Sequence, residues 1–351
     1  MINHMIATFD PNFSVLKLGK HTAEFAASVS KNAKKTIELP TILELRAAVA
    51  TTLKDEELTY PYGMAAKSYS KEIIGGMDCY LLRTNDSESV PTLIMFYGGG
   101  FCLNTMNAHK AFMANVAAPM SCNIILPDCP LAPENKAPEI IAQSEAFLKE
   151  FLKNPTGLGV SKNIVLMGWS SGSNLALTLS LNLQRTAPQL FKKVSQLILL
   201  SPWMDLSMCV SREGPYQSQQ NMDTIAAGPD LLEMMGKCYL PKGFKGHEPE
   251  FCPVARHPDE MRNLPPVTVI IGGCEILFGD GVFTVDTLKR AGVPVQLVVL
   301  EGQTHNCVVF HQLSLDGVYV PDLVAHVVRG KAIDDMVGQD GLGLIIRKFN
   351  M

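Results

Sequence analysis

The chain has 351 residues, enough for one large α/β domain with an insertion or for two domains of ~150 residues, and it can bury a core without disulfide or metal staples. Apolar residues make up 47 %, which excludes wholesale disorder. The 30 Lys+Arg and 34 Asp+Glu give a net charge of −4 with no basic block, so the electrostatic footprint of a nucleic-acid binder is missing.

Residues 1–60 read as helical and peripheral. Within them Ile42, Leu45, Val49 and Leu53 recur at helical spacing. Met64–Ile74 and Met77–Arg83 read as two strands joined at Gly75-Gly76, a hairpin signal. After a polar loop at Thr84–Pro91 the pattern changes. Thr92–Tyr97, Asn123–Leu126, Asn163–Met167, Gln196–Leu200, Val267–Ile271 and Val295–Leu300 are short and almost continuously apolar, as strands buried on both faces are. Helical stretches at about 108–119, 137–153, 173–185 and 281–291 separate most of them. This alternation predicts an α/β fold with a mostly parallel central sheet covered by helices on both faces.

One connection is too long for a simple βα unit. Sixty-six residues, 201 to 266, separate Leu200 from Val267. Inside it Leu231, Met234, Met235, Cys238 and Tyr239 follow the i, i+3, i+4, i+7, i+8 rule of an amphipathic helix. The expected organisation is therefore a helical segment at 1–60, a catalytic α/β domain at 61–330 with a cap or lid insertion at 201–260, and a tail at 331–351. The tail holds Gly338, Gly341 and Gly343 among mixed residues.

Nine cysteines, none in a CxxC and most inside apolar runs, read as buried reduced thiols and not as a disulfide framework or zinc site. No apolar run reaches the ~18 residues of a membrane span. Met1 to Lys20 lacks a basic stretch followed by an apolar one, so no secretory signal is read and a cytoplasmic location is the default.

The strongest chemical motif is Gly168-Trp169-Ser170-Ser171-Gly172, between a strand and a helix. A serine on such a tight turn has a strained backbone, and small residues two positions either side let neighbouring chain pass close. The hydroxyl then projects above the sheet edge beside helix N–H groups that stabilise negative charge. The plain alternative is a glycine-flanked turn. A second motif, Tyr97-Gly98-Gly99-Gly100-Phe101, directly follows a strand; its glycines let backbone N–H groups converge on one point, as an oxyanion site requires. No GxGxxG or GK[ST] is spelled there, which argues against a phosphate loop. Glu275 and Asp280 lie after the strand Val267–Ile271, and His305 after Val295–Leu300. Catalytic groups in open parallel sheets gather at strand carboxyl ends, and the order Ser170, acid, His305 is that of the α/β hydrolases. Either acid could reach the histidine; Asp280 is also placed to cap a helix beginning near Gly281.

At these residues the chain resembles the hormone-sensitive-lipase-like branch of the α/β-hydrolase superfamily, the bacterial-type carboxylesterases. The likeness runs from about residue 65 to 330. It rests on YGGGF at 97–101, DCPLAPENKAP at 128–138, GWSSG at 168–172, LLSPWMDLS at 199–207, LPP at 264–266, and EIL at 275–277 where the family usually has DPL. The resemblance implies Ser170 as nucleophile, His305 as base, Glu275 as acid, and the backbone N–H groups of Gly99, Gly100 and Ser171 as oxyanion donors. It also implies that the N-terminal helices form a cap. Two positions depart from the family: Tyr97 stands for its histidine before GGG, and Trp169 for the acidic residue before the nucleophile. Both line or support the substrate pocket, as does Phe101.

The other polar residues have blander readings. Asp128 and Glu134 fix a loop. His109 follows the GGG loop closely enough to touch substrate but defaults to a packing role. His247 and His257 lie in the insertion, where exposure is the default. No histidine pair has ligand spacing with a carboxylate, so no metal is expected, and the chemistry needs no cofactor. The expected activity is that of a serine carboxylic-ester hydrolase acting on a small-molecule ester, without nucleic acid or integral membrane segment. A homodimer is compatible with the sequence. The rival readings are an amidase or lactonase on the same triad, and a small-molecule receptor on the same fold. Gibberellin receptors resemble this family but lack the catalytic histidine, whereas His305 is present here.

Overall fold

The computed structural model describes residues 41–52, 69–83, 90–117, 122–158, 160–213, 223, 228–305, 320–330 and 346–348. Most of the 1–60 segment, the start of the first expected strand (64–68), Met222, Cys307 and most of the 331–351 tail fall outside these residues.

Nine strands among the described residues form one sheet: β1 (Ser70–Ile74), β2 (Met77–Leu82), β3 (Thr92–Phe96), β4 (Asn123–Pro127), β5 (Ile164–Trp169), β6 (Val194–Leu200), β7 (Val267–Gly272), β8 (Val295–Leu300) and β9 (Ile346–Lys348). Their order is β1-β2-β4-β3-β5-β6-β7-β8-β9. The β1–β2 hairpin turns at Gly75 and Gly76, both at positive φ, and pairs antiparallel with β4; β3 to β8 run parallel. At the far edge β9, from the tail, pairs antiparallel with β8, Leu300 opposite Ile346.

The apolar runs are explained by two cores. Alternate residues point to opposite faces of a strand. Ile94, Phe96, Leu166 and Leu199 enter one apolar cluster, while Leu93, Met95, Met167 and Ile198 enter the other. Every residue of β3, β4, β5 and β7 is buried. Each Val, Leu, Ile, Phe or Met side chain among them contributes roughly 1.5–3 kcal/mol of transfer free energy.

The helices are α1 (Ile42–Thr52), α2 (Met106–Ala117), α3 (Ala137–Lys153), α4 (Ser171–Thr186), α5 (Pro188–Phe191), α6 (Cys209–Glu213), α7 (Gly228–Tyr239), α8 (Phe278–Arg290) and α9 (Val320–Val328). In α3, Pro138 starts the first turn, and Ile140, Ser144, Phe147, Leu148 and Phe151 form its buried stripe. Helices α6 and α7 lie in the long connection between β6 and β7. One expectation needs correction. Helix α8 begins at Phe278, three residues before Gly281, so Asp280 sits inside its first turn and does not cap it. The eight described cysteines are free thiols, six of them buried.

Candidate active site

Strand β5 ends at Trp169 and α4 begins at Ser171, which leaves Ser170 on the turn with φ 56° and ψ −121°. A side-chain-bearing residue is strained at positive φ and persists there only when its surroundings hold it. The Ser170 N–H donates to the Leu200 carbonyl at 2.9 Å, and the Ser170 carbonyl accepts from Ser173 N at 3.0 Å and Trp203 N at 3.2 Å. The flanking glycines are steric necessities. A Cβ on Gly172 would lie 2.0 Å from the Phe96 carbonyl oxygen, and one on Gly168 would lie 2.3 Å from the Gly172 oxygen. Neighbouring backbone therefore passes where a side chain would stand.

The glycine loop after β3 approaches this turn. Gly99, Gly100 and Phe101 have φ of 119°, 62° and 61°, and Phe101 N donates to Ser171 Oγ at 3.2 Å. The N–H groups of Gly99, Gly100 and Ser171 have no acceptor among the described residues. Several side chains fix the loop from behind. Thr105 Oγ1 donates to the Gly98 carbonyl at 2.8 Å. His109 donates from Nδ1 to the Thr105 carbonyl at 2.9 Å and accepts from Gly98 N at Nε2, 3.4 Å away. Complete burial pushes the His109 pKa down to about 4, so the ring is a neutral acceptor at ordinary pH. Tyr97 donates to the Cys129 carbonyl at 3.1 Å and faces Asp128 Oδ1 at 3.5 Å, tying the loop to the 128–138 stretch. Arg46, on α1, donates to the carbonyls of Cys102 (2.6 Å) and Ala132 and clamps Glu134 at 2.8 and 3.0 Å. Glu134 thus holds a loop, while His109 braces the glycine turn.

The acid and the histidine come from the next two strand ends. Glu275 is wholly buried; its Oε2 accepts from Ser201 Oγ at 2.7 Å and from Gly272 N at 2.9 Å. Its Oε1 has no hydrogen-bond partner among the described residues, and neither has His305 Nδ1. These two atoms face each other at 3.8 Å. The His305 ring is stacked on Trp169, centroids 5.0 Å apart at 26°, and so stands beside the serine turn. Trp169 also packs against His109, ring centroids 5.3 Å apart. Asp280 is not brought to the imidazole. Its Oδ2 accepts from Met204 N (2.7 Å) and Asp205 N (2.9 Å), and burial pushes its pKa well above the usual carboxylate range.

The apolar wall is shared with the long connection. Phe101 stacks on Tyr239 of α7, centroids 3.7 Å apart, and lies 6.1 Å from Trp203. Met235 of α7 closes on Gly100, where a Cβ would lie 2.1 Å from its sulfur. Met204 and Met208 are fully buried in the core, and Met234 is partly buried against it. His247 and His257 are exposed. Sequence reasoning missed the roles of Arg46 and Ser201; both act on groups far away in the chain, and although Ser201 stands within the 199–207 stretch, nothing local to it points to Glu275.

This arrangement is that of an α/β hydrolase, and the chain belongs to the α/β hydrolase fold family, whose model matches residues 93–309. Within it the chain is a carboxylesterase-type enzyme of the hormone-sensitive-lipase-like branch. An esterase from Acinetobacter venetianus is 31 % identical over 231 residues, covering 64 % of this chain and 71 % of that protein. Two solved structures share the fold. The Pyrobaculum calidifontis esterase has a TM-score of 0.75 at 21 % identity, covering 90 % of this chain and 100 % of its own. An esterase of the bacterial hormone-sensitive lipase family has a TM-score of 0.73 at 20 % identity, covering 89 % and 98 %.

Proposed function

We propose that the chain hydrolyses carboxylic esters through Ser170, His305 and Glu275. The observation that carries this reading is the strained Ser170 turn beside a buried acid–imidazole pair whose facing atoms lack other partners among the described residues. Apo sites commonly hold catalytic hydrogen bonds long, and a 3.8 Å gap fits a bond that tightens with substrate. In the proposed reaction His305 takes the Ser170 proton as Ser170 Oγ attacks the ester carbonyl. The N–H groups of Gly99, Gly100 and Ser171 bind the oxyanion. His305 then protonates the leaving alcohol, and afterwards activates the water that releases the acid. Glu275 orients the ring and stabilises its cation.

The preferred acyl groups are uncharged, apolar and of short to medium length. Phe101, Trp169 and Met235 offer apolar surface around the glycine loop, and among the described residues no buried cation stands there to receive a carboxylate. The test is labelling with a fluorophosphonate followed by mass mapping. A covalent adduct at Ser170 is expected, and an unlabelled Ser170 in active enzyme would sink the assignment. A panel of esters, amides and a dicarboxylate monoester then ranks substrates, with short apolar esters expected first.

A further inference from the structure

We propose that Asp223 is a positioning residue for the Glu275–His305 pair, and that through it the connection between β6 and β7 sets the alignment of acid and base. The proposal rests on the triad reading above.

Asp223 lies between α6 and α7 in the chain, far in sequence from both groups. Its Oδ2 accepts from Ile276 N at 2.6 Å, and its Oδ1 accepts from His305 N at 3.3 Å. Ile276 directly follows Glu275, so the first bond fixes the peptide plane next to the acid. The second fixes the backbone of the histidine itself. One carboxylate thereby spans the two loops whose side chains must meet. A carboxyl group carries two acceptor oxygens and so can hold both amides at once, which suits it to this clamp.

The same connection holds Ile276 from its other side. Ser211 Oγ, on α6, donates to the Ile276 carbonyl at 3.2 Å. Both backbone polar groups of the residue after the acid are therefore satisfied by side chains of the inserted segment. The relation is reciprocal, because Asp280 of α8 holds the backbone of Met204 and Asp205, where that segment leaves β6. Acid loop and insertion are interlaced by carboxyl-to-amide hydrogen bonds in both directions. Proton relay needs near-attack geometry, and a misplacement of about 1 Å can cost about 10²-fold in rate. Freeing the Ile276 and His305 amides releases the two loops independently.

The test compares Asp223→Ala and Asp223→Asn with wild type and Ser170→Ala, measuring kcat, KM, melting temperature and the rate of fluorophosphonate labelling. Asp223→Ala is expected to lower kcat about 10- to 100-fold while KM stays within about threefold, with labelling of Ser170 slowed in proportion. Asp223→Asn should fall between, because its carbonyl oxygen still accepts one of the two N–H groups. Wild-type kcat in both Asp223 variants, with Ser170→Ala inactive, overturns this proposal and leaves the triad standing. A raised KM with unchanged kcat also overturns it, since that pattern marks a substrate-binding role. Turnover retained in Ser170→Ala overturns the triad and this proposal together. If Asp223→Ala fails to fold, Asp223→Asn carries the comparison: a kcat lowered about three- to tenfold at a wild-type melting temperature supports the clamp, and an unchanged one refutes it.

Discussion

Trp169 lies flat against His305, ring centroids 5.0 Å apart and planes inclined by 26°. The indole face carries negative quadrupole charge, and in the proposed reaction the imidazole becomes a cation when it accepts the Ser170 proton. Such contacts contribute about 0.5–2 kcal/mol. The substitution that separates this chain from its family's motif thus bears on the base as well as on the pocket wall. Trp169→Leu is expected to lower kcat about two- to thirtyfold with little change in KM, while Trp169→Phe keeps a π-face and most of the rate. Equal rates in the Leu and Phe variants under saturating substrate would remove the cation–π contribution.

The acid assignment yields a ranking. Glu275→Gln keeps an acceptor for Ser201 and Gly272 but loses the charge that, in the proposed triad, orients and stabilises His305. In the chymotrypsin template the corresponding loss costs about 10⁴ in kcat, and here at least about two orders are expected with a near-native melting temperature. Asp280 holds main chain. Asp280→Asn retains an acceptor for Met204 and Asp205 and should keep most activity. Asp280→Ala strands two buried N–H groups, each costing about 1–3 kcal/mol, and should fail first in a thermal melt. An active Glu275→Gln beside an inactive, stably folded Asp280→Asn would transfer the acid role.

The parts legible in the sequence are those written in local patterns. Strands β3 to β8 stood out because both sheet faces are buried, which makes each strand a short unbroken apolar run. The serine turn stood out because a Cβ on Gly168 or Gly172 would lie 2.3 or 2.0 Å from backbone oxygen, which leaves room only for glycine. Illegible were the side chains that bind groups many residues away in the chain. Ser201 and Glu275 are 74 positions apart, and Arg46 and Cys102 are 56 apart. Such bonds impose no spacing and no periodicity. Asp280 was misread for a related reason. An Asp before a helical stretch has the signature of a cap, but α8 starts at Phe278, and the carboxylate turns away to the chain after β6.

Arg46 gives α1 a direct hold on the glycine loop through the Cys102 carbonyl at 2.6 Å. Charge-assisted hydrogen bonds to buried acceptors contribute about 1.5–3 kcal/mol. Arg46→Met keeps most of the apolar stem and removes the donors. It should lower stability by about 1–3 kcal/mol and lower kcat more than it raises KM, because the oxyanion donors lose their brace. Glu134→Gln, which leaves the Arg46 bonds to backbone intact, should be much milder. The comparison is made by denaturant titration and steady-state kinetics on one ester.

His109 sets how stability depends on pH in the acid range. Its folded pKa is about 4, depressed by burial, against an ordinary value of 6.5. Above 6.5 the ring is neutral whether the chain is folded or unfolded, and the full stability is present. As the pH falls below 6.5 the unfolded chain takes up a proton that the folded ring refuses, so stability drops progressively and levels off only below about 4. The 2.5-unit difference corresponds to on the order of 3 kcal/mol at the low end. His109→Gln cannot titrate and can still accept from Gly98 N. It is expected to be somewhat less stable than wild type at pH 7.5 and to lose less of that stability between pH 6.5 and 4.5. The measurement is the free energy of unfolding in denaturant at half-unit pH steps for both proteins. Parallel curves across that window would show that His109 does not supply the pH dependence, and that its ring is protonated within the fold.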